Sequence, residues 1–390
     1  MPRSTRLVVL FCLAALPLIA SSPLPVGGSG TIDSYGPQIA AGGSGFFLTW
    51  LEYDGTPQHR LYGSRVSDEG QLLDGGGVLL TAEDPIASRV QFDGTHYVVA
   101  FTTDRPSPSG THVRVLYISP ETGAVVQDVT VPDARGYDLA LAVSAEAAFL
   151  AWLDDDASLE LARIPRTAGT VERASLPVGA AAYPTLSWNG SSLLVAWNTM
   201  HLIIGSPTFT VPDAVYAARV SDTLAMLDPA PLLLDTVEGT PAMDASAPSA
   251  ASDGHEWLVA WGSGSSVRAT RVSAEGVRGA VTDMAPGEAP LVFRKGDRYA
   301  LAWKESVSPS SDVRRLFLAD VTIADDQLGV ASPRTAALIP FFGDVSSAAG
   351  GADRDVAVAW AGASAPEFDW QASFRILDPG MARRRSVGHR

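Results

Sequence analysis

Cysteine is almost absent from this sequence, which contains one in 390 residues. That residue, Cys12, lies in an N-terminal stretch in which two arginines precede the apolar run Leu7–Ile19 and the small residues Ala20-Ser21-Ser22 follow it. This pattern is typical of a secretory signal peptide, and its apolar run is too short to span a bilayer comfortably. We therefore predict that residues 1–20 are a signal peptide, after which no thiol remains for a disulfide or a metal.

Long apolar runs and basic residues are also scarce. No segment after residue 20 approaches the length of a membrane helix, so we predict no membrane span. The chain has 28 Lys and Arg against 43 Asp and Glu, for a formal net charge of −15. An acidic surface is poorly suited to nucleic acid or anionic membranes. An export signal without further cysteines favours a bacterial protein that is periplasmic or secreted.

One short apolar motif occurs seven times in the sequence. An example is Glu256–Trp261, in which a large aromatic residue ends the run, a small residue precedes it, and Leu or Val stands two positions before it. Short apolar runs bounded by Gly, Asn and Asp indicate strands buried on both faces. The seven terminal aromatics, here called the anchor aromatics, are Trp50, Phe101, Trp152, Trp197, Trp261, Trp303 and Trp360.

The residues around each anchor follow a fixed order. A first strand that begins near a proline or a small residue leads into a tight turn such as Asn189-Gly190, which we predict to be type I′ because Asn-Gly and Asp-Gly favour it. The anchor strand follows, then a third strand of Arg-Val-Ser type such as Ala269–Ser273, a glycine turn and a weaker fourth strand. Seven units of four antiparallel strands predict an all-β chain folded as a seven-bladed β-propeller.

The repeat resembles that of exported bacterial β-propeller proteins, whose repeats carry a D-G-x-x-[FYW]-L-V-x-W strand and an R-V-S-x-x-G hairpin. The likeness covers roughly residues 30–378 and implies an architecture rather than an activity. Blade three departs from the pattern at Ala145-Glu146-Ala147, and blade six departs at Ala319-Asp320-Val321. These two blades are expected to be the least regular.

Residues 21–380 are predicted to form one domain. The seventh repeat shows no fourth strand of its own, so Pro23–Val26 is expected to complete that blade and close the ring. The prolines of this segment fit an outermost strand, where a missing N–H can face outward. The last ten residues, 381–390, are predicted to be a basic disordered tail.

Motifs that suggest metal or catalytic chemistry have simpler explanations. Asp154-Asp155-Asp156 lacks the spacing of a calcium loop and is interpreted as a solvated turn. Arg163-Ile164-Pro165 is similar to a sialidase signature but lies where Arg-Val-Ser lies in other repeats. The six histidines recur at no common position. We therefore predict no catalytic residue, no metal and no cofactor.

Recurring arginines are expected to have a packing role against carboxylates or tryptophan faces, since an active site uses a residue once. They are Arg65, Arg163, Arg219, Arg271 and Arg375. The predicted inner strands are mostly small and apolar. Their polar exceptions are Gln38, Gln91, Asp138 and Arg294.

The longest predicted loops meet at one mouth of the channel, and function concentrates on variable loops of this kind. They are Asn198–Ala214, Leu234–Ala247, Ser332–Ser346 and Ala361–Gln371. Their aromatics and one histidine can stack on sugar rings or anchor a partner. The candidate ligand-binding residues are His201, Phe209, Phe341, Phe342, Phe368 and Trp370.

Two functional hypotheses follow. The first is an exported, monomeric, non-enzymatic binding or scaffold propeller that engages a protein partner or a glycan through the variable-loop mouth. The alternative is a glycan-active hydrolase with a carboxylate pair at the same mouth, for which Asp213, Glu238 and Asp344 are the candidates.

Overall fold

The chain is all-β, as the sequence predicts: every helix or strand element among the described residues is a strand. The computed structural model describes residues 24–25, 33–43, 45–56, 58–103, 113–167, 169–203, 209–237, 247–308, 313–324, 327–340, 345–349, 356–364 and 369–377. The predicted signal peptide and the predicted tail lie outside these residues.

The strands form antiparallel sheets, numbered here in chain order. Sheet 1 consists of β2 (Asp33–Gly42), β3 (Gly45–Tyr53), β4 (Arg60–Ser67) and β5 (Val78–Thr81). Sheet 2 consists of β6 (Pro85–Phe92), β7 (Tyr97–Thr103), β8 (Val113–Ile118) and β9 (Val125–Thr130). Sheet 3 consists of β10 (Tyr137–Val143), β11 (Ala147–Leu153), β12 (Leu159–Pro165) and β13 (Glu172–Leu176).

The second half of the chain repeats this order. Sheet 4 consists of β14 (Ala182–Trp188), β15 (Ser192–Ile203), β16 (Phe209–Ser221) and β17 (Leu232–Thr236). Sheet 5 consists of β18 (Ser249–Ser252), β19 (Trp257–Ser263), β20 (Ser266–Val272) and β21 (Thr282–Pro286). Sheet 6 consists of β22 (Glu288–Lys295), β23 (Arg298–Ser306), β24 (Val313–Ala324) and β25 (Gln327–Pro340). Sheet 7 consists of β26 (Val345–Ala349), β27 (Val356–Ser364), β28 (Asp369–Leu377) and the two-residue β1 (Leu24–Pro25).

The first strand of each sheet, called the inner strand, faces its counterparts in the neighbouring sheets. Inner strands contact one another in chain order, and β26 contacts β2. Consecutive antiparallel sheets that meet at their first strands have the arrangement of a β-propeller. The inner strands therefore surround a channel, and loops from all sheets meet at its two ends.

The anchor aromatics hold the sheets together. All seven lie at the same position of the second strand, and none is more than 6% exposed, which confirms the sequence prediction. Each packs into the apolar cluster that its sheet shares with the preceding sheet; Trp261 of sheet 5, for example, packs with Leu194 and Val215 of sheet 4.

The small residue before each anchor faces the opposite way, because neighbouring residues of a strand point to opposite faces. Ala260 of sheet 5 therefore packs with Trp303 of sheet 6, and Ala302 of sheet 6 packs with Trp360 of sheet 7. In sheet 1 the small residue is Thr49, whose hydroxyl lies 3.4 Å from that of Ser88 in sheet 2. A small residue on one sheet thus receives the large anchor of the next, at the close-packed density of protein interiors.

The Asp-Gly and Asn-Gly turns are not type I′, which corrects the sequence prediction. Phe92 pairs with Tyr97, so the turn after β6 contains four residues rather than two. Its Asp93 carboxylate accepts the backbone N–H groups of Thr95 at 2.7 Å and His96 at 2.6 Å. Only the glycine of each turn has a positive φ. These are Asx turns, in which the first side chain rather than a second left-handed residue stabilises the loop.

The recurring arginines pair with carboxylates in four of five sheets, as predicted. The Arg219 guanidinium donates through Nε and Nη2 to Asp228 at 3.0 and 2.7 Å, and Arg65 makes the same fork with Asp74. Arg163 and Arg271 pair with glutamates at 3.1 and 2.9 Å. Arg375 instead donates to the Ala336 carbonyl.

The forked pairs also reach the next sheet. Arg219 Nη1 donates to the carbonyl of Ala274, and Arg65 Nη1 donates to that of Glu121, both in the glycine turn of the following sheet. A Cβ on the glycine of that turn, Gly276, would lie 2.7 Å from Arg219 Nε. The arginine and the glycine of the R-V-S-x-x-G motif therefore meet between neighbouring sheets.

The two blades expected to be irregular differ. Sheet 6 is irregular, since β24 and β25 are long and their pairing shifts register twice, although the long strands β15 and β16 make sheet 4 irregular as well. Sheet 3 is no less regular than the other sheets, which contradicts the prediction: its one register shift is a bulge of the inner strand that four other sheets share. Ser144 replaces the missing aspartate there, and its hydroxyl accepts the N–H groups of Glu146 and Ala147 at 3.2 and 3.1 Å.

We predict that Trp261→Ala lowers the free energy of unfolding by about 3–5 kcal/mol, because the indole is fully buried and leaves a cavity. Urea denaturation measures the change. The control is Val277→Ala at a side chain that is 66% exposed, where we expect a change within about 0.5 kcal/mol. Equal losses for the two variants would contradict the role of Trp261.

We predict that Gly276→Ala destabilises the chain more than Gly254→Ala does, by about 1–2 kcal/mol, because the new methyl displaces the Arg219–Asp228 pair. Both glycines have positive φ, +85° and +106°, so both variants carry backbone strain. A Cβ at Gly254 meets no atom within 4 Å. The difference between their unfolding free energies isolates the contact between sheets, and equal losses would exclude it.

Candidate functional site

The channel between the inner strands holds a cavity of about 740 Å³. This volume lies within the range of small-ligand pockets. Small and apolar residues form most of its lining. The four polar exceptions predicted from the sequence all line it. Gln91 Nε2 donates to the Leu141 carbonyl at 2.7 Å, and Arg294 Nε donates to the Gly296 carbonyl at 2.8 Å near the tight-turn end.

Five inner strands carry a β-bulge near the other end, where the variable loops lie. The pairing shifts register in β2, β6, β10, β14 and β22. In sheets 1, 3, 4 and 6, two inner-strand residues oppose one anchor tryptophan, for example Tyr183-Pro184 opposite Trp197. The second position suits proline, since a bulge leaves one residue unpaired. This end of the channel is called the bulged mouth.

The first residue of each of these four bulges has a left-handed backbone. The φ values are +55° at Gly36, +53° at Asp138, +51° at Tyr183 and +48° at Ala289. Such a conformation is rare for a bulky side chain and costs about 1–3 kcal/mol. All four residues line the cavity. The bulges therefore aim Asp138 and Tyr183 into the bulged mouth at a cost in strain.

Three polar side chains from adjacent sheets come together there. Asp138 Oδ2 accepts the backbone N–H of Tyr183 at 3.2 Å. Burial raises the pKa of Asp138, while the bond from Tyr183 and the charge of Arg89 oppose the rise. Arg89 Nη1 donates to the Ser88 carbonyl at 2.8 Å. The bulged mouth thus has a cation, a carboxyl and a phenol on the inner strands of sheets 2, 3 and 4.

A histidine and a carboxylate flank this group between sheets 1 and 2. Asp84 Oδ1 accepts the backbone N–H of His59 at 2.9 Å and its Nδ1–H at 3.1 Å, which fixes the imidazole. The ring of His59 meets Tyr35 edge-on at 5.8 Å. Burial, together with the charges of Asp84 and Asp33, raises the pKa of Tyr35 to about 12. Tyr35 lines the cavity and extends the polar lining to sheet 1.

The described structure does not test the ligand-binding residues predicted from the sequence. The backbones of His201, Phe209 and Trp370 lie in the ladders of β15, β16 and β28, paired with Val211, Ile203 and Ala363. Their side chains, and all of Phe341, Phe342 and Phe368, lie outside the described part of the chain. The backbone of Asp213 lies in β16, while Glu238 and Asp344 lie outside the described residues.

Three predicted loops are largely strand, which corrects their bounds; one of them is Ala361–Gln371, where β27 continues to Ser364 and β28 begins at Asp369. β15 and β16 continue their pairing to Ile203 and Phe209, so most of Asn198–Ala214 is a hairpin. β25 continues to Pro340, so the loop begins after that residue rather than at Ser332. Backbone pairing extends these strands beyond the point at which the apolar pattern ends.

Sequence reasoning noted Asp138 but missed Arg89, Tyr183 and the His59–Asp84 pair. A usable signal exists for Tyr183, since the residue before the recurring proline of the first strand is the bulge residue. Arg89 gives no such signal, because arginine is frequent throughout the chain.

Acidic and histidine side chains form no group suited to a metal in the part of the chain that the structure describes. The Asp154 turn is an Asx turn, whose carboxylate accepts from Asp156 N and Ser158 N at 3.0 and 2.8 Å. Within the described ranges, no helix has the length and apolar character of a membrane span.

No protein family model matches the chain, and no curated protein matches it. Solved structures are similar at low identity. A protein of unknown function from Dyadobacter fermentans DSM 18053 is 12% identical with a TM-score of 0.49, over 92% of this chain and 98% of that one. The β-propeller domain of the Trilobed protease from Pyrococcus furiosus is 11% identical with a TM-score of 0.49, over 89% and 97%.

A subtype N11 neuraminidase-like protein of A/flat-faced bat/Peru/033/2010 (H18N11) is 9% identical with a TM-score of 0.47, over 90% of each chain. Similarities of this size carry no argument about the function of the present chain.

We predict that Asp138→Asn stabilises the chain at neutral pH. Burial raises the pKa of Asp138, so the folded state holds its proton more tightly than the unfolded state does. Stability is therefore lost as the pH rises from the ordinary aspartate pKa through the raised value, and asparagine avoids this loss. Asparagine also tolerates positive φ.

Urea denaturation of both chains from about pH 3 to about pH 7 measures the effect. The stabilisation of the variant should be larger at neutral pH than in acid. A difference that stays constant, or grows as the pH falls, would contradict the assignment.

Proposed function

We propose that this chain is an exported binding or scaffold propeller that engages a protein partner or a glycan through the bulged mouth, without catalysing a reaction. One observation carries the proposal: strained bulges in sheets 3 and 4 aim Asp138 and Tyr183 into one cavity, which Arg89 on the inner strand of sheet 2 also lines. Strain of this kind persists where function requires it. Side chains positioned on strands form more precise sites than those on loops.

We also propose an architecture and a cellular location for the protein. The seven sheets are taken as seven blades of one ring, and the chain as one of the exported bacterial propeller repeat proteins that its motifs resemble. A signal peptide at residues 1–20, a periplasmic or secreted location and a monomeric state belong to the proposal. The repeat motifs and the N-terminal apolar run of the sequence support these parts of the proposal.

Ring closure by the N-terminal segment is part of this architecture. The pairing of Leu24 with Phe374 and of Pro25 with Ser373 supports it. A bond from Ala372 N–H to Ser34 Oγ at 2.8 Å joins β28 of sheet 7 to β2 of sheet 1. An added outer strand satisfies backbone groups that would otherwise form a raw edge.

Truncation tests the closure. Deletion of residues 21–32 behind an intact signal should lower the melting temperature by several degrees, because about 1–2 kcal/mol of strand pairing is lost. Deletion of 381–390 is the control and should leave the melting temperature unchanged. The reverse pattern would place the closure at the C-terminus.

A variant of the bulged mouth tests the binding function. Arg89→Gln combined with Tyr183→Asn removes two polar side chains, and asparagine accepts the left-handed backbone. Defined glycans on an array and purified extracellular proteins are the probes. Binding should be lost in the double variant and kept in Arg294→Gln, whose arginine lines the other end of the channel. Binding that survives in the double variant would refute the proposal.

The alternative, a glycan-active hydrolase, has one supporting observation. Asp138 is a part-buried carboxyl with a raised pKa in the bulged mouth, as a general acid requires. Release of nitrophenol from 4-nitrophenyl glycosides tests it. Turnover that disappears in Asp138→Asn would establish the alternative over the binding proposal.

A further inference from the structure

The charge of the channel differs in sign from that of the whole chain. The chain has a formal net charge of −15. The described residues of the cavity lining nevertheless include three cationic side chains, Arg89, Arg294 and Lys304, and one carboxyl, Asp138. A cleft of one sign, surrounded by low-dielectric walls, concentrates ligands of the opposite sign. The lining therefore favours an anion over a cation.

The cations occupy different places. Arg294 lies at the tight-turn end, where it donates to the Gly296 carbonyl. Lys304 is 6% exposed on the second strand of sheet 6, where its backbone pairs with Glu288. Arg89 lies on an inner strand beside the bulged mouth and pairs with Ala100. Arg89 is therefore the cation best placed to meet a ligand that enters through that mouth.

Arg89 has neighbours that suit a carboxylate ligand. Gln38 occupies the same level of the inner strand in sheet 1, because it pairs with Thr49 as Arg89 pairs with Ala100. Its side-chain amide supplies two donors. A guanidinium binds a carboxylate through two parallel bonds, which a lysine cannot reproduce. Tyr183 and Tyr35 add aromatic surface for the apolar part of a ligand.

Among the described residues that line the cavity, Asp138 is the one carboxyl and so the group that opposes an anion. Its Oδ2 already accepts from the Tyr183 backbone. Its raised pKa means that the neutral form is more accessible than for an ordinary aspartate. The carboxyl therefore opposes a nearby anion less than a fully solvated carboxylate would.

We propose that the bulged mouth binds a small ligand that carries a carboxylate, with the carboxylate on Arg89 and the remainder against Tyr183 and Tyr35. This inference rests on the proposed function and specifies the chemistry of its ligand. An acidic sugar residue and a free organic acid share this chemistry. The cavity of about 740 Å³ has room for either.

Isothermal titration calorimetry on the full chain tests the proposal with four probes. D-glucuronate and succinate represent the two sources, D-glucuronamide is the neutral isostere of the first, and D-glucosamine is the cationic sugar. Glucuronate or succinate should bind at least about tenfold more tightly than glucuronamide and glucosamine, the effect of one charge-assisted pair. The tighter of the two carboxylates identifies the source.

Three variants locate the carboxylate. Arg89→Gln and Arg89→Lys should each weaken binding at least about tenfold, since lysine keeps the charge but lacks the fork. Asp138→Asn should leave affinity unchanged or raise it, because it removes the opposing carboxyl. Arg294→Gln, at the tight-turn end of the channel, is the control and should weaken binding less than Arg89→Gln does. Loss of affinity on changing Arg89, without loss on changing Asp138, is a pattern that unfolding of the variants does not produce.

The outcomes separate this inference from the proposed function. Tighter binding of glucuronamide or glucosamine, or equal binding by Arg89→Gln, overturns the carboxylate assignment. Absence of heat for every probe at about 20 mM also overturns it. In each case the proposed function stands if the double variant of the bulged mouth loses a partner or glycan, and falls if it does not.

Discussion

The packing of one aromatic side chain against one small side chain in the preceding sheet is the constraint on which this structure depends. Every sheet gives an anchor aromatic to the cluster it shares with the preceding sheet. In four sheets the same tryptophan opposes two inner-strand residues rather than one. The bulge changes the direction of the inner strand opposite the anchor. The anchors that pack the sheets together therefore also lie opposite the bulges that carry Asp138 and Tyr183. Side chains positioned in this way are held as rigidly as the core behind them.

The outer part of the sheets has a second connection of a different kind. The forks of Arg65 with Asp74 and of Arg219 with Asp228 each reach a turn of the following sheet. Surface ion pairs contribute little on their own, yet these pairs also accept a backbone N–H and donate to a carbonyl, so they are hydrogen-bond networks rather than isolated charges. Apolar packing near the channel and hydrogen bonds near the rim together fix the positions of neighbouring sheets. The loops at the bulged mouth can therefore vary in length.

Much of the fold was predictable, because each anchor residue satisfies the same packing requirement and therefore recurs in the sequence. The burial of Trp261 and the carboxylate partner of Arg219 follow from such repetition. The site was less predictable for a physical reason. A bulge is a property of the pairing between strands: the proline after Tyr183 gives an indirect signal of it, whereas nothing beside Asp138 shows in the sequence that two residues oppose one. The predicted bounds of the loops were wrong for a similar reason. Leu202 and Ile203 continue a hairpin through backbone pairing, which the side chains do not reveal. Asp-Gly correctly predicted a turn, but the turn is an Asx turn rather than the type I′ turn expected from that dipeptide.

The central claim is that the bulges aim side chains into a channel whose cations distinguish it from an acidic exterior. The most direct measurement is the rate of thiol labelling of Tyr183→Cys in a Cys12→Ser background, with anionic and cationic thiosulfonate reagents of similar size. Val126→Cys, at a residue that is 54% exposed on the outer strand of sheet 2, gives the reference. The account predicts that position 183 is labelled in the folded chain and favours the anionic reagent relative to position 126. A thiol at 183 that stays unreactive, or that favours the cationic reagent as strongly as position 126 does, would contradict it.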